Sequence, residues 1–181
     1  TVVVNGGTVV VTDDSVAASI GAQGATVTFN GTEGAEKVQT VVAYIGDAGY
    51  TTLDEAVEDA EAGVTITLDR DITIDHLIEI NKAITLDLNS KTVTATSMKA
   101  FEVYSDVTIK NGSIVAANRC VDTRKNVELV LEKVILTATS QTYGNPQPLT
   151  IGGSTAGTEV IMNDVTINAG NGYGIITFVE T

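Results

Sequence analysis

Short bursts of alternating apolar and polar residues run through most of the chain from Val64 onwards. Each burst spans three to five residues and is bounded by Asn, Gly, Asp, Ser or Lys. A period of two places every second side chain on the same face of an extended segment, so each burst predicts a β-strand. The apolar positions are mainly Val, Ile and Leu, which together with Thr favour strands.

The bursts form a repeat, with three bursts in each unit of roughly 20–25 residues. Equivalent positions in the first bursts of five successive units lie 20, 23, 20 and 31 residues apart, at Ile66, Leu86, Ile109, Leu129 and Val160. The second bursts begin at Ile72, Val93, Ile114, Val134 and Val165, and the third at Ile78, Phe101, Val121, Leu149 and Ile175. The longest spacing contains an excursion from the repeat, Ser140–Pro148.

Three short strands per unit predict a parallel β-helix, in which each rung (one full turn of the coil) adds a strand to each of three parallel sheets. The predicted fold class is all-β, a parallel β-helix of five rungs. A sandwich of hairpins is the alternative, and it would require hairpin turns between adjacent strands. Asn-Gly pairs occur at Asn5, Asn30 and Asn111, but most junctions lack them.

One amphipathic helix is predicted immediately before the first rung. Thr52 and Glu55 have the Thr-x-x-Glu spacing of a capping box, and Gly63 lies where a left-handed C-cap is expected. A helix of roughly 12 residues needs to bury its apolar stripe, and the first rung of a β-helix needs a cover. We therefore expect the helix to cap the stack through Thr52, Leu53, Glu55, Ala56, Val57, Ala60 and Gly63.

The residues of this capping region resemble those of a known family. The pattern Ile-Gly-x-x-x-Tyr-x-Thr-Leu-x-Glu-Ala-Val runs from Ile45 to Val57, and Gly-x-Thr-Ile-x-Leu follows from Gly63 to Leu68. Both are similar to the start of pectin-lyase-like β-helix modules in bacterial surface proteins, and the resemblance covers residues 41–181. It implies a right-handed β-helix on a secreted or wall-associated protein, often as one of several modules. The resemblance is specific for the architecture and gives almost no information about activity.

Residues 1–40 fit the repeat less well than the capped β-helix of residues 41–181. This N-terminal β segment is rung-like, which indicates the end of a preceding module, a separate small β element or strands that pair with a neighbouring chain. At the other end, no capping segment follows the strand predicted from Ile175, and uncapped edges accept further strands. Truncation of a longer protein and end-to-end assembly both explain this pattern. The candidate assembly residues are Val2, Val3, Val4, Val9, Val11, Ile175, Ile176 and Phe178.

The net charge of −13 disfavours nucleic acid and anionic membranes as partners, because phosphate binding requires Lys and Arg. No apolar run reaches the roughly 18–20 residues that span a membrane, so no membrane insertion is expected. Cys120 is the single cysteine, cannot form an internal disulfide and is expected to be a packing residue. The expected partners are other copies of the chain or neighbouring modules of the same polypeptide, and glycans are an additional candidate.

The sequence offers little of the chemistry that polysaccharide lyases and hydrolases with this fold require. Glu102, Asp122 and Arg124, with Lys125 as a further candidate, form the best constellation, which we expect to be an exposed cross-strand ion pair that contributes little to stability. Asp69, Asp71 and Asp75 are a weak candidate for calcium. We therefore expect no enzymatic activity, no catalytic residues, no metal and no cofactor.

Recognition, if it occurs at one loop, is expected in the excursion, because long loops on a rigid scaffold commonly carry function. Its side chains suited to sugar hydroxyls are Gln141, Tyr143, Asn145 and Gln147. The expected function is a non-enzymatic structural or adhesive module, extracellular or at the cell surface, that assembles end to end into a fibre or array. Glycan binding by the 140–148 loop is the alternative, and a polysaccharide lyase or hydrolase is the third possibility.

Overall fold

A computed structural model describes residues 41–139, 144–153 and 157–179, together with short strands at 2–4, 9–11, 27–29 and 38–40. From Thr65 to Val179 the backbone winds through about five rungs and forms a parallel β-solenoid, as the repeat predicts. The protein is mostly β-sheet, with a single helix in the described residues.

The strands lie on three faces, and neighbours on each face pair in parallel. The first face contains β7 (Thr65–Leu68), β10 (Ile84–Asp87), the first halves of β13 (Val107–Ala116) and β15 (Glu128–Ala138), and β17 (Glu159–Asn163). The second contains β8 (Ile72–Ile74), β11 (Thr92–Ala95), the second halves of β13 and β15, and β18 (Thr166–Asn168). The third contains β9 (Ile78–Ile80), β12 (Lys99–Val103), β14 (Arg119–Thr123), β16 (Leu149–Gly153) and β19 (Ile175–Val179).

Rungs 3 and 4 differ from the predicted three separate strands, because β13 and β15 each continue through the corner between the first and second faces. The backbone at this corner is left-handed at Asn111, Lys133 and Asp164, with φ of 58°, 52° and 56°. Gly112 follows in rung 3, where a Cβ would lie 2.5 Å from the Lys91 carbonyl oxygen. A tight bend at one residue therefore turns the strand without ending its hydrogen-bonded ladder.

The register agrees with the predicted repeat except between rungs 3 and 4. Leu86 pairs with Ile66 and with Ile109, as predicted. Ile109 pairs with Leu131, however, so the predicted equivalence of Ile109 and Leu129 is wrong. The observed shift of two residues keeps the same side chains on the inner face, because side chains alternate with a period of two. The second face shows the same shift between these rungs, where Ile114 pairs with Leu136 rather than Val134.

The core is a column of aliphatic side chains enclosed by the three faces. Most inward-facing residues of rungs 1 to 4 are buried; Ile66, Leu86, Ile109 and Leu131 have no exposed surface, and Phe101 is the largest fully buried side chain. Burial of such a continuous column is what makes stacked rungs stable when a single rung is not.

The helix α1 (Leu53–Asp59) covers the beginning of this column. The capping box is present: the Thr52 hydroxyl accepts from Glu55 N at 3.1 Å, and the Glu55 carboxylate accepts from Thr52 N at 3.2 Å. Leu53, Ala56, Val57 and Ala60 are buried in the hydrophobic core.

The helix ends earlier than the sequence predicts. Its C-cap is Ala60, in an extended conformation with ψ of 136°, so the expectation that Gly63 caps the helix is wrong. Gly63 has φ of +86° and lies in the following turn, where its N–H donates to the Ala83 carbonyl at 2.7 Å. Hydrogen bonding with rung 2 thus begins at Gly63, which leaves no room for a further helical turn.

A β-hairpin also belongs to the cap and was not predicted. Strands β5 (Ala43–Ile45) and β6 (Ala48–Tyr50) are joined by Gly46 and Asp47, and β5 pairs antiparallel with β7. A two-residue loop that starts with a positive-φ glycine, here φ of 57° at Gly46, is a hairpin signal. The hairpin closes the edge of the first face, whereas β8 and β9 have a strand neighbour on one side only within the described residues.

The N-terminal strands form two parallel pairs. β1 (Val2–Val4) pairs with β3 (Val27–Phe29), and β2 (Val9–Val11) pairs with β4 (Val38–Thr40). Paired residues such as Val2 and Val27 lie about one rung apart in the sequence.

Candidate functional site

A cluster of charged side chains lies on the outer side of the third face, and we call Lys99, Glu102, Arg119, Asp122 and Arg124 the third-face ion cluster. Register places Lys99 beside Arg119 and Glu102 beside Asp122 on neighbouring strands. Each acid follows a base by three residues on its own strand, so successive rungs repeat the same basic-to-acidic spacing.

Direct ion pairs hold the cluster together. Lys99 Nζ bonds the Glu102 carboxylate and lies 2.8 Å from Asp122 Oδ2, so it bridges two rungs. Arg119 Nη1 donates to the same Asp122 oxygen at 2.8 Å. Arg124 lies farther away, with 3.9 Å separating its guanidinium from each carboxylate.

The two acids of the cluster are buried and the three cations are partly exposed, so the expectation of an exposed ion pair is wrong. The Asp122 side chain has no exposed surface, and only 9% of the Glu102 side chain is exposed. Lys99 and Arg119 are members that the predicted constellation does not contain. Their spacing of three residues before each acid, repeated in the next rung, is the sequence signal that could have found them.

Glu102 and Asp122 are engaged as ion-pair partners, which limits their chemistry. Burial alone would raise the pKa of Glu102, but hydrogen bonds from Lys99 and Tyr104 and the charges of Lys99 and Arg124 lower it overall. A carboxyl group with a lowered pKa is ionised at neutral pH and is a poor general acid. Among the described residues, three buried polar atoms of this region have no hydrogen-bond partner: Asp122 Oδ1, Thr150 Oγ1 and Arg119 Nε.

The excursion is described from Gly144 onwards, so Gln141 and Tyr143 lie outside the described residues. Asn145 is exposed and Gln147 is half-buried. Main-chain contacts hold this part of the loop: Asn118 Nδ2 donates to the Asn145 carbonyl at 3.0 Å, and Gln147 N donates to the Asn118 carbonyl at 2.9 Å. The loop is thus fastened to the corner before β14.

Asp69, Asp71 and Asp75 do not converge on one point, because each has its own partner. Asp69 contacts Arg70, Asp71 accepts from Thr92 N at 2.7 Å, and Asp75 contacts His76 at 2.8 Å. Within the described ranges, no group of three or more His, Cys, Asp or Glu side chains is arranged to hold a metal ion.

His76 connects the capping helix to rung 1. Its Nε2 lies 2.7 Å from Asp54 Oδ1 in the first turn of α1, and its Nδ1 lies 2.8 Å from Asp75 Oδ1. Hydrogen bonds to Asp54 and Asp75 raise the pKa of His76 to about 8. The imidazole is therefore positively charged at neutral pH and donates from both nitrogens.

Cys120 is a buried packing residue, as expected. Desolvation raises the pKa of its thiol to about 12. Its sulfur lies 3.3 Å from the Thr137 carbonyl oxygen and 3.4 Å from that of Ile114. The neutral thiol is a weak nucleophile, which fits packing rather than catalysis.

The two ends of the solenoid differ in how well their inward side chains are covered. In rung 4, Leu131 and Leu149 are fully buried. Their register partners in rung 5 are Met162 and Ile175, which are 43% and 42% exposed. Ile176 and Phe178 of the same rung are half-buried. The beginning of the column, by contrast, is covered by α1.

Comparisons of the chain with family models, with curated proteins and with solved structures gave no match. Among the described residues, no helix has the length and apolar character needed to cross a membrane. The class of protein rests on the fold itself, a capped parallel β-solenoid.

Proposed function

We propose that this chain is a non-enzymatic structural or adhesive module that joins another strand-forming segment at the end of its fifth rung. The partner segment is another copy of the chain, which gives end-to-end assembly, or a neighbouring module of the same polypeptide. The functional surface is then the fifth-rung end of a rigid stack rather than a pocket.

The observation that supports this proposal is the exposure of inward-facing side chains in rung 5. Met162 and Ile175 occupy positions whose partners in rung 4 are completely buried. The terminal strands also present one edge each without a strand neighbour in the described residues. A further rung placed on this end would bury the apolar side chains and pair the edges, both of which favour association.

The proposed location is extracellular or at the cell surface, on a right-handed β-helix of the pectin-lyase-like type. The resemblance of residues 45–68 to capped modules of bacterial surface proteins supports it. The acidic composition, with a net charge of −13, favours a soluble surface that avoids nucleic acid.

Sedimentation velocity over a wide concentration range tests assembly through the fifth rung. We expect association that is lost in the double variant Met162→Lys with Ile175→Lys, because two ammonium groups would then need to be buried at the contact. A chain that stays monomeric at every concentration, by sedimentation and by electron microscopy, would show that end-to-end self-assembly is wrong.

Ile135 provides a matched control on the side of the solenoid. It is 43% exposed, like Met162, but lies in rung 4 on the outer side of the second face. Ile135→Lys is expected to leave association unchanged. Equal loss in Ile135→Lys and in the double variant would assign the contact to the sides of the stack instead.

Glycan binding by the 140–148 loop is a second candidate, supported by the fixed position of its described part. Asn118 fastens the loop backbone and leaves Asn145 exposed, and a preorganised loop loses little entropy on binding. A glycan array separates the two functions: binding that is lost in Asn145→Ala together with Gln147→Ala supports recognition, and an array with no signal counts against it.

A lyase or hydrolase function has less support. Glu102 and Asp122 are the acidic members of the predicted constellation, and both are paired with Lys99 or Arg119. Turnover of a uronate polymer by the purified chain would overturn the proposal of a non-enzymatic module.

A further inference from the structure

The capped end is only partly closed, and the opening lies beside strand β9. The helix α1 covers the core, and the hairpin closes the first face. Between α1 and β9 runs a groove with a volume of about 340 Å³, lined by Asp54, Val57, Glu58, Ile78, Glu79, Asn81 and Lys82. We call it the cap groove.

The edge of β9 directs main-chain groups into this groove. Tyr104 N donates to the Ile80 carbonyl at 2.9 Å, so the polar backbone groups of Ile80 face β12. Successive residues of a parallel strand point their N–H and C=O groups to opposite sides. Those of Glu79, the central residue of β9, therefore point away from β12 and towards α1.

The first face shows that this end of the solenoid accepts an added strand. There the chain's own β5 lies along β7, with Ile45 beside Ile66 and Ala43 beside Leu68. The corresponding position along β9 has no strand among the described residues. An extended segment laid beside β9 would complete on the third face what β5 completes on the first.

The charges of the cap groove determine which kind of extended segment can bind beside β9. Asp54, Glu58 and Glu79 contribute three carboxylates to its lining, and Lys82 is the single cation, with its Nζ donating to the Glu58 carbonyl. The formal charge of these lining residues is thus −2, from three negative groups and one positive group, and the protonated His76 that bonds Asp54 beside the groove reduces it to −1, so the groove remains acidic through Glu58 and Glu79. No Lys or Arg follows Lys133 in the sequence, so rung 5 of a second copy does not match this charge.

We propose that the cap groove binds an extended basic peptide segment, which adds as a strand to the edge of β9. Main-chain hydrogen bonds to Glu79 provide the attachment, and Lys or Arg side chains at alternate positions face the acidic lining. This mode of recognition gains affinity from the backbone and specificity from every second side chain. The cap groove is separate from the fifth-rung end, so this proposal is tested independently of the proposed assembly.

The direct test uses the peptide acetyl-Lys-Thr-Lys-Thr-Lys-Thr-amide and the complete chain, with NMR detection of binding and of amide exchange. We expect the Glu79 amide to exchange rapidly in the free chain and to become protected when the peptide binds. A peptide with Glu in place of Lys is expected to bind at least about tenfold more weakly, because like charges then meet in the groove.

Two controls separate strand addition from attraction between unlike charges. The first is the same basic peptide methylated on alternate backbone nitrogens, which keeps its charge and loses its main-chain donors; we expect it not to protect the Glu79 amide. The second is a pair of protein variants, Glu79→Lys in the groove and Glu128→Lys on the exposed side of β15, with the same change of charge. Only Glu79→Lys should weaken binding, by about tenfold or more.

Three outcomes would overturn the proposal. One is the absence of binding at millimolar peptide, and another is equal weakening in Glu79→Lys and Glu128→Lys. The third is protection of the Glu79 amide that rises with protein concentration in the absence of peptide, which would assign the groove to a second copy of the chain.

Discussion

At the scale of single residues, the third-face ion cluster shows how burial changes the meaning of an ion pair. The sequence predicts that Glu102 and Asp122 point outward, and they do lie in register on the outer side of the face. It could not predict their burial, because that depends on two long side chains folding back over them. Lys99 and Arg119 cover the acids from three residues away on each strand.

Asp122 is expected to be important for stability because it is completely buried between two cations. Asp122→Ala should lower the free energy of unfolding by about 3–5 kcal/mol, since Arg119 loses its direct partner inside the cluster. Urea unfolding measures the change. Glu79→Ala, at an exposed position of the same ladder, is the control and should change stability by no more than about 0.5 kcal/mol. Equal effects would mean that the cluster contributes little.

His76 should make the attachment of the cap depend on pH. Its pKa is raised from 6.5 to about 8 by Asp54 and Asp75, so the folded state binds the proton more tightly than the unfolded state. The resulting stabilisation is complete below pH 6.5 and disappears as the pH rises through about 8. We expect the melting temperature to fall between these pH values, by a modest amount because the side chain is 55% exposed.

The variant His76→Gln tests this directly, because His76 is the single histidine of the chain. It should remove the pH dependence between 6.5 and 8, and NMR titration of the native imidazole should give a midpoint near 8. A midpoint near 6.5 would contradict the two hydrogen bonds to carboxylates.

At the scale of elements, the strands were predictable and one part of their register was not. Alternation of Val, Ile and Leu with polar residues indicates both the strand and its inner face. A slip of two residues leaves that alternation intact, which is why Ile109 could be aligned with Leu129 although it pairs with Leu131. The helix was predictable from Thr52 and Glu55, but its end was not, because hydrogen bonds to Ala83 begin already at Gly63.

Gly112 is expected to be essential for the corner of β13. A Cβ there would lie 2.5 Å from both Leu88 Cβ and the Lys91 carbonyl oxygen, so Gly112→Ala must displace backbone of rung 2. We expect a loss of about 1–3 kcal/mol, as for other overpacked sites. Gly174→Ala is the matched control, since a Cβ there would lie at an ordinary van der Waals distance of 3.5 Å from the Ile167 side chain. Thermal unfolding that gives equal losses would show that rung 2 adjusts freely.

At the scale of the whole molecule, the described residues form a solenoid with one end covered by α1 and no covering element on rung 5. Each rung is stabilised by the rungs on either side, and rung 5 has a described neighbour only in rung 4. The repeat predicted the number of rungs, because five units can be counted in the sequence. It could not predict which side chains at the ends are exposed, because Met162 and Ile175 follow the same alternation as their buried partners.

Amide hydrogen exchange should be slowest in the strands that have paired neighbours on both sides. We expect protection to be greatest in β13 and β15, which have neighbours on both sides, and lowest in β18 and β19. Strand β7 should be better protected than the strands of rung 5, because β5 and β10 pair with its two edges. Uniform protection from rung 1 to rung 5 would instead indicate a single cooperative unit.

The excursion within rung 4, between β15 and β16, has a consequence for the length of the molecule. Leu129 of rung 4 pairs with Val160 of rung 5 on the adjacent strand, although the chain between them contains the long excursion. Inserted residues thus widen the solenoid at a corner, whereas only a complete rung lengthens it, by about 4.8 Å. The distance that such a module spans would therefore change in fixed steps, and sequence drift within its loops would leave that distance constant.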